Sequence, residues 1–214
     1  MKITDVRACQ PIAETSPDDW RTTIGQILVA IDTDAGLTGY GVGGGGAAGI
    51  HVIQAELKAA LIGRDPGPVE EIWDDLFELM LPYGQAGIAV MAQSGIDLAL
   101  WDLKGKSAGK QVSELLAGKP MERVRLYASS GCRYDWRDRP EQLIDEAVEY
   151  IELGYTAMKF RLGTEWSWDG VTVDRFLGLV RELHQTVNGR LELMLDCNCR
   201  LNEDQAMRVA KEWD

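Results

Sequence analysis

The chain has 214 residues, 26% of them charged and 45% hydrophobic, which is enough to bury a core and build one or two domains. Aspartate and glutamate outnumber lysine and arginine by 34 to 22, and the resulting net charge of −12 argues against nucleic acid or an anionic membrane as partner, since cationic surface drives both. No apolar run approaches the roughly 20 residues of a membrane span, and MKITDVRACQ lacks the apolar core of a signal peptide, so a cytoplasmic protein is expected.

The first 43 residues read as three strands, Lys2 to Gln10, Gly25 to Thr33 and Leu37 to Val42. Asp34-Ala35-Gly36 joins the last two as a hairpin turn, with glycine where a positive φ is often needed. A polar loop, Ala13 to Thr23, carries Asp18, Asp19, Trp20 and Arg21; its tryptophan either serves as a lid or packs down on the sheet. Gly43 to Gly46 matches neither GxxxxGK[ST] nor GxGxxG, and reads as a flexible connection rather than a phosphate cradle.

Four helices follow. The first runs from about Ala47 to Ile62 and is closed by the breaker Asp65-Pro66-Gly67-Pro68. The second, Val69 to Leu81, repeats apolar residues at intervals of three and four. The third, Gly87 to Lys106, is apolar on most sides and so is expected to be buried on more than one face. The fourth, Gln111 to Ala117, stops at Gly118.

From Val124 the pattern changes to three βα units. Strands Val124 to Ser129, Tyr155 to Leu162 and Leu191 to Asp196 alternate with helices Pro140 to Leu153, Val171 to Val187 and Asn202 to Trp213. Such repetition implies a parallel sheet, whose functional residues belong at the carboxyl ends of the strands. Lys159 and Arg161 share one face of their strand while Met158, Phe160 and Leu162 share the other. Two neighbouring cations on a buried strand call for a polar cavity or an anion; the alternative is a strand end with solvated charges. The next strand ends with Asp196 and, two residues on, Asn198, and a carboxylate beside two cations points to an active site. A closed barrel takes eight βα units and about 250 residues, so these units form either a small open sheet or the front of a longer protein. Their exposed sheet edge favours a homo-oligomer.

The cysteines Cys9, Cys132, Cys197 and Cys199 show no CxxC spacing; Cys197 and Cys199, two apart on a strand, could ligate a metal, but free buried thiols are the expected reading. His51 and His184 do not make a metal-ligand pair spacing, which argues against zinc.

The N-terminal strands, the segment SGIDLALWDLKGKSAGK (Ser94 to Lys110) leading into QVSELLAG, the strand GYTAMKFRLG, and LDCNCRL together resemble the mandelate racemase and muconate lactonizing enzyme branch of the enolase superfamily. The resemblance covers essentially the whole chain. It implies an α+β capping domain, residues 1–123, followed by the first three βα units of a TIM-type barrel, residues 124–214. It also implies Mg²⁺ held by three acidic residues, and removal of a proton α to a carboxylate to form an enediolate. By that resemblance Asp196 is the first metal ligand, Asn198 its polar neighbour and Lys159 the first cation of a Lys-x-Lys motif.

Arg161 stands where that motif usually has its lysine base. Arginine keeps its proton to a pKa above about 12, so it suits a carboxylate clamp better than a base. The base is then either Lys159, its pKa lowered by burial and the guanidinium, or a group outside the chain. Trp20, Arg21 and His51 fall in the segments that close over substrate. The implied substrate is a small carboxylate. Dehydration of an acid sugar is expected first; racemisation, epimerisation or cycloisomerisation is the alternative within the family, and a non-catalytic interaction module the alternative outside it.

Overall fold

The structure is a computed structural model and describes residues 1–11, 25–131, 135, 138–161, 172–198 and 200–213. The chain divides into two compact units, Met1–Glu122 and Arg123–Asp214.

In the first unit, β1 (Ile3–Cys9), β2 (Ile27–Thr33) and β3 (Thr38–Gly43) form an antiparallel sheet in that order. Period-two patterning turns Val6, Ile27, Val29 and Ile31 to one side, and a bulge between Ile3 and Asp5 returns Ile3 to it, so that all five are buried. Cys9, expected as a buried thiol, is instead exposed at the end of β1. The hairpin places Gly36 at φ +74, as its sequence requires. Helix α1 (Gly46–Val52) runs through a π-helical turn, Ile53–Leu57, into the short α2 (Lys58–Leu61). Helices α3 (Val69–Leu79), α4 (Ile88–Ala108) and α5 (Val112–Ala117) complete the unit. Val69, Ile72 and Leu76 of α3 join Ala92, Ile96, Ala99, Leu100 and Leu103 of α4 in one core with the sheet.

Alternating glycines let α4 lie directly on β3. A Cβ at Gly39 would come 2.1 Å from the Ala99 carbonyl oxygen, and one at Gly41 would come 2.1 Å from that of Gly95. The glycine run after β3 is a packed crossing rather than the flexible tether its composition suggests. Gly44 donates to the Met91 carbonyl at 3.0 Å and Gly46 to the Gly25 carbonyl at 2.6 Å, and a Cβ on Gly49 would meet the Gly44 oxygen at 2.2 Å. Glycine serves here for close approach of backbones.

In the second unit β4 (Ala128–Ser129), β5 (Ala157–Arg161) and β6 (Glu192–Asp196) make a parallel sheet in that order. Helices α6 (Gln142–Glu152), α7 (Val173–Val187) and α8 (Glu203–Trp213) alternate with the strands. Leu143, Ala147, Phe176, Leu183 and Val187 pack with Met158 and Phe160 against one face of the sheet. Thr172 caps α7 by accepting from the Arg175 amide. Asn202 and Gln205 cap the start of α8 reciprocally, each side-chain oxygen accepting from the other's amide at 2.9 and 3.0 Å.

The strand expected over Val124 to Ser129 shrinks to two paired residues. Val124, Leu126 and Tyr127 are exposed, so no buried face holds that stretch on the sheet. Among the described residues no helix is long and apolar enough to cross a membrane.

The glycine packing yields a paired test. Gly41→Ala should lower the stability of the first unit by about 3 kcal/mol or more, because the methyl meets backbone. Gly36→Ala, with open space around it but a positive φ, should lower it by only about 1 kcal/mol. Urea midpoints of the two variants measure the difference.

Candidate active site

Strands β5 and β6 pair in parallel with Lys159 opposite Met194 and Arg161 opposite Asp196. Partners in a ladder point to the same side, so all four residues share the face opposite the helices. Lys159 reaches diagonally past its own partner to the end of the neighbouring strand. Its ammonium lies 2.6 Å from Asp196 Oδ2, with the lysine side chain 23% and the aspartate side chain 32% exposed. The hydrogen bond from Lys159 is the foremost cause holding the Asp196 carboxyl below its ordinary pKa. The Asn198 amide and the charges of Lys159 and Arg161 act in the same direction, against the opposing effect of burial.

Asn198 does not continue the strand. β6 ends at Asp196, and Asn198 sits at φ 45 with its amide donating to Asp196 Oδ1 at 3.0 Å. An Asx-type turn, rather than strand alternation, places it beside the carboxylate. Cys197, between them, is half-buried; burial first and then the charge of Asp196 push its thiol pKa up, which keeps it a neutral thiol.

The chain turns once more, the Arg200 amide donating to the Cys197 carbonyl at 3.0 Å. The Arg200 guanidinium has its pKa lowered, by burial first and by the Arg161 charge second. The charge of Arg161 is thus felt at Arg200.

Of the other residues singled out from the sequence, His51 is exposed in the last turn of α1, in the first unit. Trp20 and Arg21 lie outside the described residues, as do Asp18 and Asp19.

Two residues escaped the sequence reading. Arg200 follows Asp196 by four positions, beyond the end of the strand pattern. Glu146 is a carboxylate on the apolar stripe Leu143–Ala147–Tyr150 of α6, and only 6% of it is exposed. A charge on an otherwise apolar helical stripe is the signal that could have found it.

A carboxylate oxygen is the hard donor that Mg²⁺ prefers, and a thiol is not. Asp196 Oδ2 already has a positive charge at contact distance, the Lys159 ammonium, so its position suits a cation. One carboxylate is one ligand, and among the described residues no group of three or more His, Cys, Asp or Glu gathers to hold a metal. The residues present therefore fit a single arm of a Mg²⁺ site.

An α+β unit followed by βα units is an order of elements shared with members of the enolase superfamily. The chain belongs to the mandelate racemase / muconate lactonizing enzyme family: that family's N-terminal domain matches residues 5–117, and an enolase C-terminal domain-like region matches residues 142–214. It is 35% identical over 172 residues to D-galactarolactone cycloisomerase of Agrobacterium fabrum, a match covering 80% of this chain and 44% of that protein. It is 31% identical over 193 residues to D-galactonate dehydratase of Xanthomonas euvesicatoria, covering 88% of this chain and 49% of that one. The crystal structure of an enolase-superfamily member from Polaromonas sp. JS666 superposes with a TM-score of 0.80 at 28% identity, covering 99% of this chain and 56% of that one. The chain thus spans about half the length of the curated relatives it matches.

The ion pair carries a pH signature. With a folded-state pKa below the roughly 3.9 of an unfolded aspartate, Asp196 contributes its full stabilisation above that value and loses it as pH falls through the folded pKa. Asp196→Asn should therefore cost about 0.5–1 kcal/mol at pH 7, a figure kept small by partial exposure. The gap between variant and wild type should close as pH falls below about 3.9, as urea denaturation across pH 2.5–7 would show.

Proposed function

We propose that this chain supplies the capping domain, residues 1–123, and the first three βα units of a TIM-type barrel, residues 124–214, of an enzyme that removes a proton α to a carboxylate. The observation that carries the reading is the 2.6 Å contact between Lys159 and Asp196, reached from the carboxyl ends of adjacent parallel strands. Active groups belong at that end of such a sheet.

Removing that proton concentrates negative charge on the substrate carboxylate, and fixed cations in a partly shielded site stabilise it. Arg161 is suited to grip the carboxylate through two parallel N–H bonds. Because a guanidinium keeps its proton, the base is either Lys159 or a group from outside the chain, and Lys159 is the proton-transfer candidate on β5. Asp196 would hold Mg²⁺ together with oxygen ligands from outside these strands, and when bound the ion supplies a Lewis acid for the enediolate oxygens. Trp20, Arg21, His51 and Asn198 are assigned to substrate binding, in keeping with the family pattern.

The substrate class is an acid sugar and the first reaction choice is dehydration, supported by the D-galactonate and arabinonate dehydratases among the relatives. Cycloisomerisation is the second reading, favoured by the relative that is a D-galactarolactone cycloisomerase. The two share proton abstraction and part afterwards. The reaction takes place in the cytoplasm, in a homo-oligomer.

Incubation with Mg²⁺ and a panel of aldonates, aldarates and their lactones separates the readings. Loss of water with a 2-keto product marks a dehydratase, and product of unchanged mass marks an isomerase. Lys159→Ala should lower kcat by a factor of about 10²–10⁴. Mg²⁺ should raise the melting temperature of the wild type and not that of Asp196→Ala. Absence of turnover together with a melting temperature indifferent to Mg²⁺ would favour a non-catalytic interaction module.

A further inference from the structure

Glu146 is the one carboxylate among the described residues that is buried, and proton abstraction as proposed does not use it. It projects from α6 beside Leu143 and Ala147, both of which are in the core. Burying a carboxylate is unfavourable unless hydrogen bonds compensate for lost water. Here Oε2 accepts from the Gly131 amide at 3.2 Å, and Oε1 accepts from the Tyr150 hydroxyl at 3.0 Å.

What that carboxylate holds is next to the site. Gly131 lies two residues beyond the end of β4, at φ +88, and a Cβ there would come 2.7 Å from the Arg161 amide nitrogen. The backbone of Gly131 therefore lies against that of Arg161. One residue earlier, Ser130 donates to the Lys159 carbonyl twice, from its amide at 2.7 Å and its hydroxyl at 3.1 Å. Strand β4 itself pairs with β5 through only Ala128 and Ser129. So short a ladder needs support at its end, and the Ser130–Gly131 turn supplies it.

We propose that Glu146 is a positioning residue: its buried carboxylate pins the Ser130–Gly131 turn against the backbone of Lys159 and Arg161, and so sets where those two cations point. Glutamate on α6 thereby couples the helix layer to the site on the far face of the sheet.

The kinetic half of the test rests on the proton abstraction proposed above; the exchange half does not. In Glu146→Ala, amide hydrogen exchange at Ser130 and Gly131 should quicken about tenfold or more, while Val180 and Leu183 of α7 keep their wild-type rates. kcat should fall about 10–100-fold with KM changed only a few-fold, since misplaced groups lose transition-state contacts first. Glu146→Gln, which keeps an acceptor oxygen at the same reach, should recover most of both. If the alanine variant does not fold, Glu146→Asp serves instead, retaining the charge but drawing it back from Gly131; it should show the same local acceleration. Unchanged exchange at Gly131, or uniform acceleration across the second unit, would overturn the assignment. Wild-type protein inactive on every acid sugar would sink the proposed function, while the exchange result still decides the role of Glu146.

Discussion

The in-register parallel pairing of β5 with β6 is the constraint on which the second unit depends. It matches Met158 with Leu193 and Phe160 with Leu195 on one side, and Lys159 with Met194 and Arg161 with Asp196 on the other. A slip of one residue in either strand would exchange those sets, placing Asp196 among the helices and an apolar side chain beside the cations. The same alternation thus builds the core and assembles the charged face. The register alone does not bring Lys159 to Asp196, because its ladder partner is Met194. Contact also needs a side chain long enough to reach two residues along the neighbouring strand, and the four-carbon stem of lysine has that reach.

Much of this was legible because periodicity survives in a sequence. The alternation of YTAMKFRL and the amphipathic helices around it specify which residues face together, and the described elements agree with that reading to within a few residues at most ends. What periodicity does not encode is where a pattern stops. Asn198 has the spacing of a strand neighbour of Asp196, yet it enters a left-handed turn once its amide finds the aspartate side chain. VRLYAS has the composition of a strand, but only Ala128 and Ser129 have a neighbour to pair with. The glycines after β3 look loose in a one-dimensional reading, because the backbone that fills the space beside them comes from residues 25 and 91. In each case a partner distant in sequence, or a local side-chain bond, decides the outcome.

In the proposed mechanism Arg161 divides the work of the site. Where a lysine could both hold a carboxylate and exchange a proton, a guanidinium does only the first, at fixed geometry. The nearby guanidinium of Arg200 makes the arrangement a more demanding one, since two like charges stay close only where counter-charge or solvent screens them.

The two faces of this small sheet contrast in how their carboxylates are held. Glu146, on the helix side, is almost wholly buried and bonded through both oxygens, so moving it would strand a charge in the core. Asp196, on the other side, is about one-third exposed, and water can replace the lysine at modest expense. Exposure thus separates a fixed carboxylate from one that solvent can reach. In the enzyme proposed above, the buried carboxylate would hold strand ends in place while the exposed one stays open to a change of partner.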